Sequence, residues 1–211
     1  MFRAEGRIVI SASDVASGAV CAYASARRID EVLGRTRRGA TASDPMFERT
    51  LALGQEHEAR VLERLIERLG TWEPGRTGGV AVLPDRASTD PAELAALEDL
   101  TRAALDGGAA VVHQASFFDG EFSGRADFVL RGDVLDADGD PERWTVADAK
   151  LARSAKTSAL LQLGAYSEQL RRLGYPLAER GFLMLGTGEE PAFGLRSLMA
   201  LHREPRADLS A

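Results

Sequence analysis

Cysteine is almost absent from this chain. Cys21 is the single one among 211 residues, which excludes an internal disulfide and any four-thiolate zinc or iron–sulfur site. Histidine is nearly as scarce, with 3, and His113 and His202 stand at no ligand-like spacing, so a zinc centre is not expected. No run approaches the roughly 20 apolar residues that a membrane helix needs. The opening MFRAEGRIVI lacks the long apolar stretch of a signal peptide. These absences predict an intracellular, cytoplasmic protein with no membrane partner. No G-x-x-x-x-G-K-[ST] loop is present, so the chain carries no helicase motor of its own. The G-x-S-x-G elbow of a serine hydrolase is missing too, and Gly186-Thr-Gly188 lacks the third glycine of a dinucleotide fingerprint. Asp136-Ala-Asp138-Gly-Asp140 opens like a calcium loop. It has Pro141 where that loop needs glycine and Ala147 where it needs glutamate, and it reads as a solvated acidic turn.

Positive charge is also in short supply. Lys and Arg total 26 against 32 Asp and Glu, for a formal net charge of −6 and a pI near 5.2. That balance argues against a protein that coats nucleic acid without sequence preference. It leaves room for an enzyme with a local basic rim, for which Arg27, Arg28, Arg35, Arg37, Arg38, Arg153, Lys156, Arg171 and Arg172 are the candidates. Scattered arginines read equally as a solvated surface.

What is present is ordinary globular composition: 45% hydrophobic and 27% charged residues. The length suits one domain over residues 1–211. Ile8 to Ile10 reads as a short strand or lead-in, and Ser13 or Asp14 caps a helix running to about Arg28. A long helix is expected over Met46–Leu69, ended by Gly70. Val80–Leu83 follows as a strand, and Thr89-Asp90-Pro91 starts a helix that stops at Gly107-Gly108. Three strands come next: 109–118, 121–130 and 143–151. Asp119-Gly120 between the first two is a hairpin signal. A helix over 156–173 and a buried strand over 181–185 complete the pattern. The tail reads either as a strand over 193–201 or as a frayed end. This order predicts an α/β (α+β) layer arrangement, a mixed sheet with helices on its faces.

The chemistry is concentrated in two of these strands. In Trp144–Ala152 the charged residues are Asp148 and Lys150. Residues two apart on a strand share a face, so these two project together while Ala147, Ala149 and Leu151 face the other way. A carboxylate and an ammonium on a central strand are costly to bury. Asp127 sits in the preceding strand between Ala126 and Phe128. Neighbouring strands lie about 4.8 Å apart, so its carboxylate and that of Asp148 would repel unless a cation lay between them. Mg²⁺ suits such a site, being an oxygen-seeking ion that also binds phosphates. On the long helix Glu58 falls within the apolar stripe of Phe47, Leu51, Val61, Leu62, Leu65 and Leu69, with His57 at its edge. A surface Glu–Arg pair is the alternative for Glu58, and a plain surface histidine for His57. Gln162 and Tyr166 are one helical turn apart. Tyr166 reads as a core residue on its own pattern, and Gln114 is a further candidate to face the site.

The D…D-x-K arrangement of Asp127, Asp148 and Lys150 resembles the PD-(D/E)XK nuclease superfamily, and in particular its RecB-like branch. Ser11-x-Ser13 with Cys21, Gly54-Gln-Glu-His-Glu58 and Gln162-x-x-x-Tyr166 resemble further segments of that branch in the same order, over roughly residues 8–186. The resemblance implies a restriction-endonuclease-like fold with an αβββαβ core. It implies Mg²⁺ or Mn²⁺ held by Asp127, Asp148 and Glu58, or His57 in second place, with Lys150 acting on the attacking water or the phosphate. Phosphodiester hydrolysis of nucleic acid, DNA before RNA, would then leave a 5′-phosphate. It casts Gln162 and Tyr166, with Arg153 and Lys156, as contacts to the strand, and a helicase subunit or domain as a partner. Some RecB-like relatives hold an iron–sulfur cluster on one early and three late cysteines. Cys21 matches the early position, but the late ones are missing, so no cluster is expected and Cys21 reads as a small buried residue. A catalytically silent binding or scaffolding module on the same fold is the alternative.

Overall fold

The computed structural model describes residues 1–37 and 44–210, with side chains through Arg203. Arg38 therefore lies outside the described residues. The chain opens with a hairpin of β1 (Phe2–Ala4) and β2 (Arg7–Val9). Its turn residues Glu5 and Gly6 have φ of 47° and 83°, the left-handed pair that a two-residue type I′ turn requires.

The first helical stretch is two helices, not one. α1 (Ala12–Val20) is capped by Ser11, which exchanges hydrogen bonds with Asp14 in a capping box. The chain then breaks at Cys21, whose extended backbone ends α1 and starts α2 (Ala22–Val32). Cys21 is exposed, and its Sγ accepts the Ala24 N–H at 3.4 Å. The expectation of a buried cysteine is thus corrected: this residue is a helix cap, and its backbone geometry keeps it at the surface.

α3 (Pro45–Leu69) starts on Asp44, with Pro45 in the first turn, and ends at Gly70, whose φ of 77° lies in the left-handed region. β3 (Val80–Val82) and α4 (Pro91–Asp106) follow, then β4 (Val111–Phe118), β5 (Ser123–Arg131) and β6 (Trp144–Lys150). α5 (Thr157–Arg172), β7 (Arg180–Leu185), β8 (Ala192–Gly194) and α6 (Leu195–Ser210) complete the chain. The tail is therefore mostly helical, where a longer strand or a frayed end was expected. Strand β8 is short because Leu195 turns into the core, 1% exposed, and carries the chain into α6.

The main sheet has the order β3-β4-β5-β6-β7-β8. β3/β4 and β6/β7 are parallel, and the other pairs antiparallel. This is the expected α+β layer arrangement around a mixed sheet. On one face Val61 and Leu65 of α3 pack on Phe128, Leu130, Ala147 and Phe182. On the other, α1, α4, α5 and α6 cover Val112, Phe117, Val129 and Val146. Among the described residues no helix is long and apolar enough to cross a membrane.

Candidate active site

The sheet is irregular at one place, and the site is built there. β4 and β5 pair from Val111↔Leu130 to Phe118↔Ser123, but Gln114 and Asp127, which face each other in this register, are skipped. β5 and β6 pair from Arg131↔Trp144 to Phe128↔Ala147, and the ladder stops short of Asp127 and Asp148. Gln114 has φ of 57°, a left-handed conformation that costs a non-glycine residue on the order of 1–3 kcal/mol. The kink switches the side-chain alternation: Val112, Ala115 and Phe117 all face the α5 layer, as do Ala126 and Val129 on β5. Two strands thus part around Asp127, and the gap is filled by its own carboxylate, which accepts the Ala149 N–H of β6 at 2.9 Å.

Asp148, 3% exposed, stands opposite this gap on β6. Lys150 Nζ lies 2.7 Å from Asp148 Oδ2. Burial, and then the adjoining Asp148 charge, push the Asp127 carboxyl well above the usual carboxylate range; Lys150 offsets this only in part. Burial works against the Lys150 charge, but Asp148 and Asp127 outweigh it and hold the ammonium above its ordinary value. The site therefore sets two acids beside one cation, and ionisation of Asp127 is opposed there.

Glu58 reaches the same cleft from α3. Its Oε1 accepts from His113 Nε2 at 2.9 Å and from the Gln114 amide. Burial would raise its pKa, yet the His113 and Gln114 hydrogen bonds, and Lys150 beyond them, hold it below the ordinary value. The strained Gln114 backbone is what aims that amide at Glu58. The surface Glu–Arg alternative does not hold: the partners of Glu58 are His113 and Gln114, on β4. His57, the second candidate on α3, is not at the site. It is buried, and its Nε2 donates to the Met184 carbonyl of β7 at 2.8 Å. One residue is about 100° around a helix, which turns His57 to the sheet face while Glu58 faces the cleft.

A cleft of about 680 Å³ runs over these residues and is lined by Glu58, Asp127, Asp148, Lys150, Gln162 and Tyr166. Tyr166 is 7% exposed. Its ring packs 6.1 Å from Phe117 and 6.3 Å from Phe122. Burial first, then the Asp148 and Asp127 charges, push its hydroxyl pKa far up. It is both the core residue its pattern suggests and a wall of the cleft. Gln162 donates to Ser13 Oγ at 3.1 Å, tying α5 to the start of α1. Lys156 is exposed and lines an adjoining cleft. Arg153 is exposed on the same loop but lines neither.

Much of the expected arginine rim has structural work instead. Arg28 pairs with Glu31, Arg35 with Asp30, Arg171 with Glu168, and Arg172 with Glu98. Two functional candidates escape sequence reading. His113 pairs with a residue far along the chain, a contact no local pattern encodes. Arg125 lines the cleft while paired with Asp85, and its position follows from the kink.

Among the described residues no three His, Cys, Asp or Glu side chains stand as a ready metal cage. As they stand, Lys150 takes the cation's place at Asp148, Asp127 is turned to Ala149, and Glu58 to His113 and Gln114. The donor chemistry nevertheless fits a hard divalent ion. All three candidates are carboxylates, and the buried Asp148 Oδ2 already holds a cation, the Lys150 ammonium at 2.7 Å. The Asp148 charge adds to the cost of ionising Asp127, which a dication would relieve. The chain matches no protein-family model and no curated protein sequence.

Proposed function

We propose that this chain is a divalent-metal-dependent nuclease that hydrolyses phosphodiester bonds in nucleic acid. One observation carries the reading: the sheet parts at Asp127 and Asp148, and an open cleft there holds both carboxylates and an ammonium. A purely structural strand has no use for such charges, since well-packed apolar residues are as stable or more so. The resemblance of the D…D-x-K, Glu58 and Gln162-x-x-x-Tyr166 pattern to RecB-like nucleases supports the same reaction. It also favours DNA over RNA and a helicase as partner.

Asp127, Asp148 and Glu58 are the residues that would hold Mg²⁺ or Mn²⁺. When bound, such an ion neutralises charge on a phosphate and lowers the pKa of its water. Lys150, kept charged by its two acids, donates to the attacking water or to the phosphate oxygen on which charge grows. Glu58, kept ionised by His113 and Gln114, presents a fixed carboxylate. Tyr166 stays protonated and offers a hydroxyl donor at the cleft wall. Gln162 and Lys156 position the strand from the α5 side.

Incubation of labelled single- and double-stranded DNA in Mg²⁺, Mn²⁺ and EDTA tests this. Wild-type protein is expected to cut in either metal and not in EDTA, and Lys150→Ala to lose at least about 100-fold in rate. DNA binding without cutting in any metal would instead favour the silent binding module.

A further inference from the structure

Helix α3 is longer than the sheet it covers. Its 25 residues span about 37 Å, whereas the 7 of β6 span about 23 Å. The C-terminal part of its apolar stripe is buried at Val61 and Leu65. The same stripe continues toward the N-terminus. Phe47, Leu51 and Glu58 fall within about 40° of one another around the helix, yet Phe47 is 67% and Leu51 55% exposed.

These two side chains are not on open surface. They wall a cleft of about 420 Å³ that also holds Glu58, Asp127, Lys150 and Lys156. Glu58, Asp127 and Lys150 line the reaction cleft as well, so one opens into the other. An exposed aromatic face and an aliphatic wall beside two ammonium groups match one kind of occupant. An unstacked nucleobase takes the aromatic face, and its backbone phosphate takes the cation. A duplex keeps its bases stacked inside and has none to offer.

We infer that this cleft is a nucleobase subsite, with Phe47 the stacking face, Leu51 its wall and Lys156 a phosphate contact, and that the substrate is accordingly single-stranded. The inference rests on the nuclease reading of the adjoining carboxylates and names the substrate class for it.

Anisotropy of a fluorescein-labelled oligothymidylate tests it with the full chain in EDTA, where no cutting competes. The same length of abasic oligomer and of duplex serve as controls. Wild type is expected to bind the oligothymidylate about tenfold more tightly than either control. Phe47→Ala and Leu51→Ala should remove that advantage, and Phe47→Trp should retain it. Equal affinity for all three ligands, or an advantage that survives Phe47→Ala, would overturn the subsite. So would self-association, measured by light scattering, that Phe47→Ala abolishes while oligothymidylate binding stays intact, since the stripe would then belong to a second copy. Hydrolysis of bis(4-nitrophenyl) phosphate in Mn²⁺, a diester with no base, tests the reaction centre apart. If wild type fails there while Phe47-dependent binding holds, the subsite stands and the nuclease reading falls.

Discussion

Gln114 shows how a single residue supports both geometry and chemistry. Its left-handed backbone interrupts β4, and its amide holds Glu58. Gln114→Ala keeps the strain and loses the bond, whereas Gln114→Gly loses the bond but relieves the strain. Chemical denaturation should therefore find Gln114→Gly more stable than Gln114→Ala by about 1 kcal/mol, with both slower than wild type in cleavage. Asp148 is a second case. Asp148→Asn removes a repulsion with Asp127 but also the ion pair to Lys150, which Asp127 can take over in part. Thermal unfolding should place that variant within a few degrees of wild type, while cleavage falls at least about 100-fold. A large loss of stability would mean that Asp148 serves the fold. Lys150, Asp127 and Asp148 were legible in the sequence because a strand's alternation makes charges among apolar residues conspicuous. Strand parting at Gln114 was not legible, since no residue type announces a glutamine at positive φ.

At the level of elements, α5 and α6 hold the back of the site. Gly164 lets them approach closely: a Cβ there would lie 2.5 Å from the Leu198 carbonyl oxygen. Because the obstacle is backbone, Gly164→Ala must push the helices apart and should cost roughly 1–3 kcal/mol in denaturant unfolding. Glu168 ties the same pair of helices through Arg203 of α6, and also pairs with Arg171 one turn along α5. Burial raises its pKa, but these two arginines outweigh that and hold it below the ordinary value. A depressed folded pKa adds stability above the unfolded value of about 4.3, and that stability is lost as pH falls through the folded one. Glu168→Gln should therefore flatten part of the acid loss in a pH series of melting curves, by no more than about 1 kcal/mol given the exposed arginines. Most element boundaries were legible from periodicity and from Gly and Pro punctuation, above all α3, expected over Met46–Leu69 and found over Pro45–Leu69. The break at Cys21 was not, because Cys is a rare helix cap. Nor was α6, whose buried face among the described residues is only Leu195, Leu198 and His202 and meets α5 at Gly164.

For the whole molecule, the arrangement separates stability from chemistry. Apolar cores lie on both faces of the sheet, and the charged cluster is confined to the place where β5 leaves β6. A net charge of −6 does not oppose a nucleic-acid ligand under this arrangement, because Lys150, Lys156 and Arg125 are gathered in the clefts. The architecture was legible because strand and helix periods alternate along the chain. The partnership of Glu58 with His113 was not, for it joins α3 to β4 across a fold that the chain must first build. The proposed chemistry requires a dication that draws Asp127, Asp148 and Glu58 together in place of the Lys150 contact. Anomalous diffraction from crystals grown in Mn²⁺ tests that most directly. A peak in contact with oxygens of Asp127 and Asp148, with Glu58 turned toward it, is the predicted result. Crystals in which Mn²⁺ is absent from the cleft and Lys150 still bridges to Asp148 would contradict it.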